Sequence, residues 1–342
     1  MGTTHLSGLE VAGVPTMGIA GAPMFSGTWY FVDAVNGSDG NVGSADQPLQ
    51  TLYCAHSRMT AGSNDVAVLV GNGSTTATQR LSLAGAQVFD STATAGTLVW
   101  SKNACHLIGM TAPTGISNRA RIAPVTTDTM AAFGSGNFVT VTAQGCYFAN
   151  FSVFNGFATG GAAQICWTDS GGRNYYNSVD FAGAGDTASA QSTTSRSLLV
   201  TGTVGENVFD NCTIGTDTVT KTVANASLEF AGGTPRNTFK GCNFPIQTSS
   251  ATTLVIKTAA AASMDRWQKF DRCTFINGIK STSTTLSALA TLAASSGGLL
   301  LMKDCTLVGI TEFGSDATSL ALIYVDGASV VAATSGIAVN PS

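Results

Sequence analysis

Four ionisable residues stand at one repeated position in the second half of the chain, Asp210, Lys240, Asp271 and Lys303, each one repeat beyond the last. If the repeats stack, Asp210 and Asp271 come about 9.6 Å apart, near the upper separation of two carboxyls that cleave a glycosidic bond with inversion. Lys240 would stand between them, and its ammonium lowers both carboxyl pKa values rather than raising one for acid duty. The plainer reading is a column of alternating charge that fixes register, each exposed pair adding no more than about 1 kcal/mol. The other acidic pairs, Asp180 with Asp186 and Asp210 with Asp217, are isolated by Gly, Ala and Thr. His5, His56 and His106 fall far apart and suggest no dyad or triad. Glycine clusters such as Gly71-Asn72-Gly73 lack the Lys-Ser/Thr of a phosphate loop. Trp100, Trp167 and Trp267 are candidates for stacking on sugars, with burial in a β-core the commoner fate of a tryptophan. These residues predict no catalytic set, no metal site and no cofactor.

The elements that carry the charged column repeat with it. Phe148–Phe151–Val153, Tyr176–Val179–Phe181, Phe209–Cys212–Ile214, Phe239–Cys242–Phe244, Phe270–Cys273–Phe275 and Met302–Cys305–Leu307 share one pattern, and their middle positions recur at a nearly constant interval. Self-similarity at a period of this size, about thirty positions, is the mark of a solenoid. A second strand begins near Ile165, Leu198, Leu228, Leu254 and Leu286, and residues 253 to 275 align with 285 to 307 without a gap. Cys212, Cys242, Cys273 and Cys305 occupy equivalent places, so they predict a reduced interior ladder of small apolar side chains rather than disulfides. The absence of Cys-x-x-Cys argues against zinc.

Composition fits this architecture: 11% of residues are charged, 44% are hydrophobic and 39 are glycine. A net charge of −4 with no Lys/Arg cluster argues against nucleic acid or an anionic membrane as partner. The first basic residue is Arg58, so the N-terminus has no positive region of a secretory signal, and no apolar run reaches the roughly 18 residues of a membrane span.

From Trp29 the chain reads Tyr30-Phe31-Val32, then Asn36-Gly37-Ser38-Asp39, then Pro48-Leu49-Gln50-Thr51-Leu52, with Val66 to Val70 as the next strand. This resembles the opening of right-handed parallel β-helix proteins of the pectate-lyase-like group. The resemblance implies an all-β, right-handed, single-stranded parallel β-helix over residues 29–310, a capping helix near 51–58, and capping strands over 311–342. The polygalacturonases of that fold carry an Asn-Thr-Asp strand motif, an Asp-Asp pair and a Gly-His-Gly turn, all absent here. Residues 1–28 read as an extended attachment arm, with His5, Leu6, Leu9, Val11, Val14, Met17 and Ile19 as its contact residues. The arm resembles N-terminal stretches of phage virion proteins. The resulting expectation is a non-enzymatic virion protein made in the host cytoplasm, a capsid decoration, cement or head-fibre protein. It would be a homotrimer bound to major capsid or other virion subunits. The alternative is a tailspike-like protein that binds or depolymerises host polysaccharide, with a glycan as partner.

Overall fold

The computed structural model of the chain describes residues 10–11, 14–15, 25–71, 81–83, 98–116, 118–124, 137–156, 165–185, 187, 191–258, 260–278 and 284–330. They form a parallel β-helix whose coils cross three sheets in turn. The first sheet has eleven strands, from Trp29–Val32 to the terminal Ala328–Ser329, the second nine, from Leu81–Leu83 to Thr306–Val308, and the third eight, from Leu98–Trp100 to Ile310–Gly314. Every pairing within these sheets is parallel except the closing hairpin, where Tyr324 faces Ser329. Among the described residues no helix is long and apolar enough to cross a membrane.

Apolar residues at every second strand position drive the coiling, because only one face of each strand can turn inward. Phe148, Tyr176, Phe209, Phe239 and Phe270 stack in one interior file, with ring centroids 4.9, 4.7, 4.6 and 4.8 Å apart and planes within 11° of parallel. That interval is the strand-to-strand spacing itself, so each ring lies flat on the next. A second file runs through Phe151, Val179, Cys212, Cys242 and Cys273, all buried, to the half-buried Cys305. All eight cysteines are free thiols. In the last four coils each Sγ–H points to a backbone carbonyl, as from Cys242 to Phe209 O at 3.4 Å and from Cys273 to Phe239 O at 3.5 Å.

Between the first and second sheets the backbone turns on a left-handed residue just ahead of this file: Asn150, Ser178, Asn211, Gly241, Arg272 and Asp304, with φ between 50° and 60°. Asn tolerates this conformation and Gly adopts it freely. Five positions ahead of the file lies a ladder of buried amides. Cys146 N–H donates to Asn174 Oδ1 at 2.9 Å, Asn174 N–H to Asn207 Oδ1 at 2.9 Å, Asn207 N–H to Asn237 Oδ1 at 3.0 Å and Asn237 N–H to Gln268 Oε1 at 3.3 Å. Each side chain satisfies the corner amide of the coil before it, which no strand pairing reaches.

Helix α1 (Leu52–Arg58) covers the N-terminal end, with Thr51 as its N-cap and Leu52, Ala55 and His56 buried. The Lys102 ammonium closes its C-terminal end on the carbonyls of His56, Ser57 and Met59 at 2.6, 3.0 and 2.6 Å. At the other end, helix α2 (Ala317–Ala321), capped by Asp316, follows the last strand of the third sheet.

Several expected details differ. Leu320 lies in helix α2 rather than in a terminal strand, because Asp316 supplies a cap that accepts from Ser319 N–H at 2.7 Å. Trp167, not Ile165, is in register with Leu198, so the bulky indole takes the core position. The last two coils do not align without a gap: Ile256 faces Ala290 and Phe270 faces Met302, so the stretch between these two positions is shorter by two in the later coil. Trp267 sits within the strand Met264–Asp271 rather than near a loop, and Trp100 and Trp167 are wholly buried. In the arm, Glu10–Val11 pairs with Val14–Pro15, with Val11 opposite Val14. His5, Leu6, Leu9, Met17 and Ile19 lie outside the described residues.

Candidate functional site

The charged residues singled out by spacing do form one file on the outer face of the first sheet: Asp210 faces Lys240, Lys240 faces Asp271 and Asp271 faces Lys303. The ion pairs do not alternate along it. Lys240 reaches Asp210 at 3.5 Å, but Asp271 pairs with Lys269 and Arg272 at 3.7 and 3.4 Å, and Lys303 with Asp304 at 3.3 Å. Asp210 also accepts from the Tyr175 hydroxyl at 2.8 Å. Both carboxylates proposed for glycosidic chemistry are thus held by neighbours on an open face. The Tyr147 and Tyr175 rings beside them stack on each other at 5.6 Å and 5°, so their faces turn along the axis rather than toward a ligand.

The outer face of the second sheet offers more. The residue directly after each core position is polar in every coil: Ser152, Asp180, Thr213, Asn243, Thr274 and Thr306 stand in register, with Arg121 ahead of Ser152. Two residues further along each strand the outward positions are apolar or lack a side chain: Phe154, Ala182, Gly215, Pro245, Ile276 and Val308. A hydrogen-bonding file thus runs beside an apolar one. This trough was legible as a polar residue one place after the cysteine of each repeat, a signal that attention to the interior passes over.

Two walls close the trough. One is formed by residues 111–116 and 118, which follow Met110 at the end of its first-sheet strand and run past later coils. Thr213 Oγ1 donates to Gly115 O, and Asn118 Nδ2 donates to Ser178 O at 3.1 Å. The other is the strand Thr216–Lys221, laid alongside Asn243–Thr248. Between them lie two cavities that share Ile116. The smaller, about 110 Å³, has Asp180 in its lining, with Arg121, Ser152, Phe154, Thr216 and Thr218 around it. Asp180 is only 2% exposed and accepts from Ser152 Oγ at 3.0 Å, while Arg121 Nε donates to Asn118 O at 2.8 Å. The larger, about 410 Å³, holds Asp217, Asn243, Pro245 and Ile276. A third cavity, about 810 Å³, opens on the first sheet near its C-terminal end, between Leu299, Leu301, Tyr324 and Lys303.

Other ionisable groups serve the shaft. Burial pushes the His106 imidazole down to about 4, and its ring stacks on Phe25 at 3.6 Å. Asp169 is buried inside the coil, where it accepts from Tyr176 Oη at 2.5 Å, Asn174 Nδ2 at 3.0 Å and Gly172 N–H at 2.9 Å; burial raises its pKa against these bonds. Burial also raises the thiols of Cys54, Cys105, Cys146, Cys166 and Cys242, Cys146 up to about 12, which leaves them unreactive as nucleophiles. Among the described residues no group of three or more His, Cys, Asp or Glu is placed to hold a metal ion.

No family model and no curated protein sequence matches the chain. Its fold is similar to that of solved β-helix enzymes. Pectin methylesterase PemA from Erwinia chrysanthemi superposes with a TM-score of 0.55 at 14% identity, over 86% of this chain and 82% of that one. A mutant pectin methylesterase in complex with a hexasaccharide gives 0.53 at 13% identity, over 90% and 91%. The Aspergillus niger pectin methylesterase gives 0.50 at 15%, over 90% and 83%. At these identities the likeness shows the fold. It also overturns the expectation of a protein without enzymatic activity, because the neighbours are enzymes that act on a polysaccharide. That expectation rested on the arm and on the lack of a recognisable catalytic set, the polygalacturonase motifs included; those motifs speak only to glycosidic hydrolysis, whereas these neighbours are esterases.

Proposed function

We propose that this protein is a tailspike-like polysaccharide-binding β-helix that holds a glycan chain in the trough of the second sheet and acts on it there. The observation that carries this reading is the pairing of a polar file with an apolar file along one face, Ser152 to Thr306 beside Phe154 to Val308. A sugar has the same two-sidedness: hydroxyls around its rim and C–H groups on its faces. Side chains repeated at about 4.8 Å along a sheet follow an extended chain laid across the coils. Asp180 is the carboxylate best placed to receive a hydroxyl proton or take one from a reacting group, with Ser152 fixing its orientation. Asp217 lies in the adjoining cavity. The pair therefore replaces Asp210 and Asp271 as the carboxylates to test. The alternative virion role, capsid decoration or head fibre, rests on the arm, and the trough supports the polysaccharide reading further.

The test is retention of capsular and O-antigen polysaccharides by the full chain, with assays for released reducing ends, unsaturated sugars and ester-derived acids or alcohols. One or more polysaccharides should be retained, and Asp180→Asn should abolish any release while leaving the far-UV circular dichroism unchanged. Failure to retain any polysaccharide, or release untouched by both Asp180→Asn and Asp217→Asn, overturns the reading.

A further inference from the structure

We infer that the larger cavity of the trough takes an uncharged sugar bearing a methyl group, either a 6-deoxyhexose or an O-acetylated residue. The inference rests on the polysaccharide reading and narrows it to a substrate class. Ile116 and Ile276 are 47% and 39% exposed, two of only six large hydrophobic side chains so exposed among the described residues, and both border this one cavity. Pro245 completes an aliphatic lining that contains no aromatic ring. A sugar without a methyl group presents C–H faces that suit flat aromatic platforms. Branched aliphatic walls suit a compact apolar protrusion instead.

The polar groups narrow the class further. Asp217 and Asn243 line the same cavity, and neither side chain is hydrogen bonded or ion paired within the chain among the described residues. The carboxylate accepts from hydroxyls, and the amide both donates and accepts. No described Lys or Arg borders this cavity. An anionic sugar would bring its carboxylate against Asp217 with no cation among the described lining residues to offset the repulsion. The cavity therefore disfavours uronic acids, the charged sugars of de-esterified pectin.

The experiment measures affinities of the full chain for matched oligosaccharides: D-rhamnan against mannan and L-fucan against L-galactan, each pair differing at the 6-hydroxyl. O-acetylated mannan and galactan form a second arm, and oligogalacturonate a third. The methyl-bearing member of a pair should bind roughly tenfold tighter, the discrimination one methyl group provides in a fitted apolar pocket. The first arm identifies the deoxy source and the second the acetyl source. Ile276→Ser should collapse the ratio within the preferred pair. Equal affinity within every pair, or tightest binding of oligogalacturonate, overturns the inference and leaves the polysaccharide reading standing. Binding of none of the probes by folded protein also overturns the inference, while the wider reading is decided by retention of capsular or O-antigen polysaccharide.

Discussion

At the residue scale, Lys221 makes the sharpest demand on the fold. It is 1% exposed, and among the described residues its ammonium donates only to Ser227 Oγ, at 3.1 Å. Burial, with the nearby Arg196 guanidinium, lowers its pKa to about 7. Unfolding restores an ordinary lysine, so above about pH 7 the unfolded chain binds the extra proton and stability rises with pH. The rise amounts to at most about 1.4 kcal/mol per pH unit. The net rise ends before about pH 8.5, because thiols that stay protonated in the folded chain begin to ionise in the unfolded one below their usual pKa. The lysine is therefore isolated by comparing wild type with Lys221→Met, since the thiol contribution is common to both. Lys221→Met should be the more stable at pH 7 in chemical denaturation, and that advantage should shrink by pH 8.5. A gap between the two that does not move with pH would rule out Lys221 as its source. Spacing alone does not mark such a residue, since its burial follows from the side strand Thr216–Lys221 folding back along the coil. The charged column was legible by contrast, but its pairing was not, because Lys269 and Arg272 approach Asp271 from within its own coil.

Among the elements, the aromatic stack sets how the coils communicate. Within their file, Tyr176, Phe209 and Phe239 each touch only the ring above and the ring below, at 4.6 to 4.9 Å. Phe209→Ala should cost about 3 to 5 kcal/mol, the usual loss for a buried phenylalanine. A double-mutant cycle between Phe209→Leu and Phe239→Leu should give a coupling of about 0.5 to 1.5 kcal/mol. The same cycle between Phe148→Leu and Phe270→Leu should be additive, and equal couplings for near and distant pairs would contradict nearest-neighbour stacking. The repeat, the cysteine file and the cap helix over 52–58 were readable from the sequence because inward positions tolerate few residue types. The amide ladder was equally available, as Asn174, Asn207, Asn237 and Gln268 each lie five places before the core file. Their isolated polar letters look like turns until the corner N–H groups they satisfy are known. The third-sheet register was misread at Ile165 because a neighbouring Trp competes for the same core place and the larger side chain wins.

For the whole molecule, the two ends are finished differently. Helix α1 and Lys102 close the first coil, while the last parallel strand of the first sheet, Ile323–Val325, lies along Gly298–Lys303 and is itself covered by Ala328–Ser329. Without it Gly298–Lys303 becomes a bare edge, which invites pairing between chains. Removal of residues 316–342 should thus yield concentration-dependent association in sedimentation velocity beyond that of the full chain. Unchanged sedimentation would show that the terminal hairpin has no guarding role.

Residues 111–116 and 118 roof coils that come much later in the chain, fastened to them by Thr213 to Gly115 and Asn118 to Ser178. What the cavity recognises is consequently written in part outside the stack, with Asn243, Pro245 and Ile276 contributed by the stack itself. An exchange of that one stretch between related chains can give a new preference in a single step while the stack beneath it keeps its packing.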